Sequence, residues 1–173
     1  MNKFIKVVAV AVIATFIGGC GMAEAANNDA NQNSELLAIH MIAKFEGFRS
    51  YVYTCPGGKK TIGYGFTEPS LIAKGTMTVK EADRELGKKV RAEIAWVRKQ
   101  LPGVKLTPKQ EAAIVSSVYN LGHTRFLKSQ YYRKLKQADF KGASKELAEF
   151  RLAQGKVVKG LVRRRAAECA WLA

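Results

Sequence analysis

Glu46, Cys55 and Thr61 are the residues best equipped for chemistry. They stand in Phe45-Glu46-Gly47-Phe48, Thr54-Cys55-Pro56-Gly57-Gly58 and Thr61-Ile62-Gly63-Tyr64-Gly65, with eight residues between the first two and five between the last two. An acid, a polarisable base or nucleophile and a water-holding hydroxyl then share one helix–turn–strand unit. That set suits glycoside hydrolysis, which needs a protonated leaving oxygen and support for an oxocarbenium-like centre. A helix end packed among Phe45 and Phe48 would desolvate the Glu46 carboxyl and favour its neutral, proton-donating form. Only the thiolate of Cys55 would serve, and Lys59 and Lys60 favour it.

The elements that must position these groups are legible in the pattern. Ser34 fits an N-cap for a helix reaching Glu46, with Leu36, Leu37, Ile39, Ile42, Ala43 and Phe45 on a broad apolar face. Residues 50–67 change to a β-hairpin reading around the Pro-Gly-Gly turn. From Thr78 onward the pattern is helical. Thr78 with Glu81 and Thr107 with Gln110 are capping boxes, and Pro108 and Gly122 bracket the most apolar helix, which belongs at the centre. Further helices are expected near 127–137, 139–152 and 158–172. The fold class is α+β and predominantly helical, a small hairpin lobe beside a larger helical lobe with a cleft between them.

Further along, Tyr119-Asn120-Leu121-Gly122, Phe126-x-x-Ser129, Lys134-Leu135 and Gly160-Leu161-Val162-Arg163-Arg164-Arg165-x-x-Glu168 follow in order. Together with the Glu-8-Cys-5-Thr block they resemble the phage-type lysozymes and endolysins of glycoside hydrolase family 24, over about 34–173. The resemblance implies a lysozyme-like fold, an inverting reaction, and catalytic roles for Glu46, Cys55 (where the family has Asp or Cys) and Thr61. It further implies substrate binding by Asn120, Ser129 and Tyr64, and Arg164 as the group that orients the acid. The remaining arginines of the 163–165 run read as a solvated face. Phe66 stands where the family commonly has His, which bears on fine specificity more than on reaction class. The implied partner is peptidoglycan, cut at the β-1,4 bond between N-acetylmuramic acid and N-acetylglucosamine by a monomer. No cofactor is implied, and His40 and His123 lack ligand spacing for a metal.

The chain has 173 residues, 47% of them hydrophobic, and a formal net charge of +15. That is one domain with a real core and a surface drawn to polyanions. No nucleic-acid motif accompanies the charge. Lys3 and Lys6 followed by the uncharged run Val7–Ala23 read as an export segment over 1–25, with a polar linker at 26–33 and the catalytic domain at 34–173. Cleavage after Ala23-Glu24-Ala25, lipidation of Cys20, or retention as a signal-arrest-release segment are the three fates. The last two are routes to membrane association, and all three place the domain in the periplasm or cell envelope. An oxidising compartment also admits a Cys55–Cys169 disulfide, with which Cys20 could exchange. Two other functions fit the same residues: a lytic transglycosylase on the same bond, and a wall-binding protein disabled by Cys55.

Overall fold

The computed structural model describes residues 21–55 and 58–173. Its elements run in the order α1 (Gly21–Glu46), β1 (Arg49–Thr54), β2 (Lys60–Gly63), α2 (Pro69–Ile72), α3 (Val79–Gln100), α4 (Pro108–Leu121), α5 (His123–Leu127), α6 (Gln130–Lys136), α7 (Phe140–Ala148), β3 (Leu152–Ala153), β4 (Lys156–Val157) and α8 (Lys159–Leu172). The expected α+β architecture is present: a short antiparallel hairpin beside a helical body.

Three sequence expectations about the elements need correction. Ser34 does not cap the first helix; α1 runs back to Gly21 and Ser34 is buried within it. No Gly or Pro interrupts residues 22–46, so nothing breaks the helix where the polar stretch 26–33 had suggested a linker. Residues 1–20, which hold Cys20 and most of the export segment, lie outside the described residues. Among the described residues no helix is long and apolar enough to cross a membrane. The second correction concerns 149–158. The expected helix stops at Ala148, and the chain turns through β3 and β4, with Gln154 (φ 50°) and Gly155 (φ 75°) in the turn. Two successive positive φ values match the hairpin twist, but Gln in the first place is a weak signal. The third concerns the helix expected near 127–137, which starts later, at Gln130, after a separate short helix ending at Leu127. Ser129 accepts the Tyr132 N–H at 3.1 Å and starts α6 separately from α5.

Both capping boxes are formed. The Thr78 and Thr107 hydroxyls accept from the backbone of Glu81 and Gln110, whose side chains accept in return from the cap residues' N–H groups. These fix where α3 and α4 begin. In α4 every residue from Glu111 to Val118 is buried, because the helix packs on α1, α3 and α8 at once. It is the central helix its composition predicts. Buried Glu111 is matched by Arg98 of α3 in a two-bonded pair at 2.7 Å for each bond.

The hairpin is anchored to the body by tyrosines. Tyr64 donates to Asp83 of α3 at 2.9 Å and packs its ring against Phe48 and Phe66. Tyr119 of α4 donates to the Tyr64 carbonyl at 3.0 Å. Burial, then the Asp83 hydrogen bond, push the Tyr64 phenol from 10.0 up to about 12. A group whose folded value is raised contributes its stability fully below its unfolded value and loses it as pH climbs through the folded one. The fold should therefore weaken between pH 10 and 12. Tyr64→Phe should flatten that decline while costing about 1 kcal/mol at neutral pH. Thermal midpoints of both proteins against pH test this, and parallel curves would count against it.

Candidate active site

Glu46 is the last residue of α1, and the chain leaves the helix at Gly47 to enter β1 two residues later. The carboxyl therefore stands at the junction of helical body and hairpin, with its side chain 23% exposed. Its two oxygens have different neighbours. Oε1 accepts from Arg164 Nη1 at 2.5 Å, and the Arg164 guanidinium also lies 5.7 Å from the centroid of the Phe45 ring. Oε2 faces Gly65.

Gly65 shows why the local sequence is what it is. Ile62 and Phe66 exchange both backbone hydrogen bonds, at 3.0 and 2.9 Å, and close a tight loop over residues 63–65. Within it Gly63 and Gly65 take φ of 64° and 86°, values that side chains with a Cβ seldom adopt. A Cβ on Gly65 would stand 3.3 Å from Glu46 Oε2. This glycine is thus needed twice, for its backbone angle and for room beside the acid. Gly65→Ala should lower kcat about tenfold and cost about 1–2 kcal/mol. Lysis rates and urea midpoints decide it, and a variant with wild-type kcat would show that the acid has room to spare.

Cys55 and Thr61 meet at one backbone carbonyl. The Cys55 N–H and the Thr61 hydroxyl both donate to the Lys59 carbonyl, at 2.9 and 3.1 Å, while the Cys55 carbonyl accepts from Gly58 at 2.8 Å. Thr61 is buried and pairs with Tyr53 across the hairpin. With its proton committed to Lys59, the Thr61 oxygen keeps acceptor capacity only. The disulfide considered between Cys55 and Cys169 is absent. Cys169 remains a thiol on α8 and donates to the Ser144 carbonyl at 3.2 Å, and burial pushes that thiol up.

Asn120 shares a cavity of about 370 Å³ with Glu46, Lys44, Gly160 and Arg164. Its Oδ1 accepts from Arg165 Nη2 at 3.0 Å, which leaves the amide NH₂ to donate into the cavity. A second space of about 500 Å³, on the Gly65 side, is lined by Phe66, Glu68, Lys89, Tyr119 and His123. A third, of about 720 Å³, is lined by His123, Arg125, Ser129 and Phe150. The last is the roomiest of these three and contains neither Glu46 nor the hairpin, so volume alone does not mark the chemistry.

The structure therefore brings Glu46, Arg164 and Asn120 together and places Cys55 and Thr61 on the adjoining hairpin. It sets Ser129 apart: its hydroxyl donates to the Phe126 carbonyl at 2.6 Å and caps α6. Tyr64 is buried with its phenol turned to Asp83, where it packs the hairpin against α3. Arg165 corrects the reading of the arginine run as a solvated face beyond Arg164. Arg164 and Arg165 both turn inward while Arg163 stays exposed. Arg165 had a sequence signal, since it stands three residues before Glu168 and the two share a helix face.

A hairpin lobe set on a helical body, with a carboxyl at their junction, defines a lysozyme-like protein. An endolysin from Escherichia coli O157:H7 phage FAHEc1 has this fold, with a TM-score of 0.68 and 25% identity over 79% of this chain and 90% of that one. Residues 43–168 match the phage lysozyme family. The endolysin of Acyrthosiphon pisum secondary endosymbiont phage 1 is 36% identical over 132 residues, covering 74% of this chain and 89% of the relative. The SAR-endolysin of Bacteriophage PS34 is 35% identical over 132 residues, covering 73% and 77%. The chain belongs to the phage lysozyme family.

Proposed function

We propose that this protein is an exported muramidase of the phage endolysin type, hydrolysing the β-1,4 bond between N-acetylmuramic acid and N-acetylglucosamine in peptidoglycan. Membership of the phage lysozyme family supports peptidoglycan hydrolysis as the activity. The observation that carries the finer reading is the asymmetry at Glu46. One carboxyl oxygen is held by Arg164 and the other faces the glycine loop, in a cavity that Asn120 also lines. Glu46 donates a proton to the glycosidic oxygen as it leaves. Asn120 donates to the sugar, and Arg164 orients the acid. Cys55, as thiolate, acts on a water that the Thr61 oxygen helps to hold, and water attacks the face opposite the acid with inversion. The protein acts as a monomer in the periplasm or cell envelope, and relatives named SAR-endolysins support export.

Product mass spectrometry of digested cell walls tests the reaction. Hydrolysed muropeptides carry one more water than the anhydro products of a transglycosylase, so anhydro sugars alone would replace this reading with that one. The role of Cys55 has its own outcome. Under reducing conditions Cys55→Ser should lose about 10²-fold or more of the rate, whereas Cys55→Asp, which restores a carboxylate, should stay within about tenfold of wild type. A serine variant as active as wild type removes Cys55 from the mechanism. A wild-type protein that binds walls without cutting them supports the disabled binder instead.

A further inference from the structure

Glu168 is the most completely buried carboxyl described, with no exposed surface, and nothing in the reaction above uses it. Its partners are informative. Oε1 accepts from the Ser116 hydroxyl at 2.7 Å and from Arg164 Nε at 3.0 Å. Oε2 lies 3.0 Å from Arg165 Nε, as an ion pair without hydrogen-bond alignment, and Arg165 Nη1 is buried with no hydrogen-bond partner. The same two arginines reach the candidate site by their other ends. Arg164 Nη1 donates to Glu46 and Nη2 to the Ser116 carbonyl, while Arg165 Nη2 donates to Asn120. One buried carboxylate thus stands behind both the proposed proton donor and the proposed sugar-binding amide.

We propose that Glu168 is a positioning residue for catalysis, dividing the charge of Arg164 between itself and Glu46 and setting the direction of Asn120 through Arg165. The inference rests on Glu46 being the proton donor. Its physical content is a competition. A guanidinium given wholly to Glu46 would hold that group as carboxylate and withhold the proton that bond cleavage requires. Glu168, fixed by helix α8 four residues after Arg164 and bonded to α4 through Ser116, takes part of that charge. Burial raises the Glu168 carboxyl above the ordinary range, while Arg165, Arg164 and Ser116 oppose the rise. The other charged or titratable groups around Glu46 are Lys44 on α1, Tyr119 on α4 and Arg163 on α8. On the hairpin side it is Gly65 that packs against the carboxyl.

The test is the pH dependence of kcat and KM for wild type, Glu168→Gln and Ser116→Ala in the full chain. Glu168→Gln leaves Arg164 wholly to Glu46, so the alkaline limb of kcat should move toward acid by about one pH unit. KM should rise as Asn120 loses its fixed direction. Ser116→Ala keeps the backbone carbonyl that accepts from Arg164 Nη2 at 3.0 Å but removes the hydroxyl that donates to Glu168 at 2.7 Å and accepts from the same Nη2 at 3.3 Å. Without that donor Glu168 is held less well as a carboxylate and draws less of the Arg164 charge, so the limb should move the same way, by about a few tenths of a unit. This smaller variant decides the matter if Glu168→Gln does not fold. A purely structural role would lower the thermal midpoint and leave both limbs in place, and that result overturns the proposal. Should Glu46→Gln keep its activity, the reading of Glu46 itself fails. If Glu46→Gln is inactive and the limbs do not move, only the role of Glu168 is lost.

Discussion

Glu46→Gln should lower the rate of cell-wall hydrolysis by about 10³-fold with little change in KM. Gln fills the same space and can still accept from Arg164 Nη1 through its amide oxygen. What it lacks is an acidic proton. General acid catalysis contributes roughly 10²–10⁴-fold, and the bond to a sugar leaving group leans on it because the departing oxygen must not leave as an alkoxide. The fold should survive. Arg164 keeps Glu168 and the Ser116 carbonyl as partners, so no buried charge is orphaned. Release of soluble muropeptides, normalised to protein with unchanged thermal unfolding, gives the answer. Retention of more than a tenth of wild-type activity would falsify the assignment of Glu46 as the acid.

Arg164→Lys should be nearly as damaging, and also destabilising by about 3–5 kcal/mol. The guanidinium uses three nitrogens for three partners: Nε on Glu168, Nη1 on Glu46 and Nη2 on the Ser116 carbonyl. A planar fork can face three directions, whereas an ammonium is a single compact charge on a shorter reach. Lys at 164 must abandon at least one buried partner. Breaking a buried ion pair by removing one side is costed at about 3–5 kcal/mol because the other charge stays buried. The side chain of Arg164 is 4% exposed and that of Glu168 fully buried, so water cannot substitute. Urea unfolding and lysis kinetics measured on the same preparation check both halves. Wild-type stability in the Lys variant would show that the fork is dispensable.

Much of this site could be read from the chain. Glu46, Cys55 and Thr61 stand out because their chemical types and intervals have a mechanistic use, and the interval from Glu46 to Gly65 covers a helix end, a hairpin and a glycine loop. The two capping boxes and the apolar centre of α4 are local signals too. A cap involves residues three apart, and a helix face repeats every few residues, so no distant contact is needed to recognise them. The errors are also local in origin. Ser34 can cap a helix, but capping is a choice between continuing and starting, and the polar stretch 26–33 holds no Gly or Pro that would stop a helix. The β3–β4 hairpin is two residues on each side, too short for alternation to show.

The sequence alone determined the class of chemistry, the helical body with its hairpin, and which residue types were available to act. Only the tertiary structure decided which of those residues face one another. Glu46 and Arg164 lie 118 positions apart, and their meeting depends on how α1, α4 and α8 pack. Packing also decided that Arg165 and Glu168 turn inward, that the Tyr64 phenol meets Asp83, and that Gly65 leaves space for an acid. Side-chain type and interval are properties of the chain. Burial, and with it the strength of every charge in the site, is a property of what folds over it.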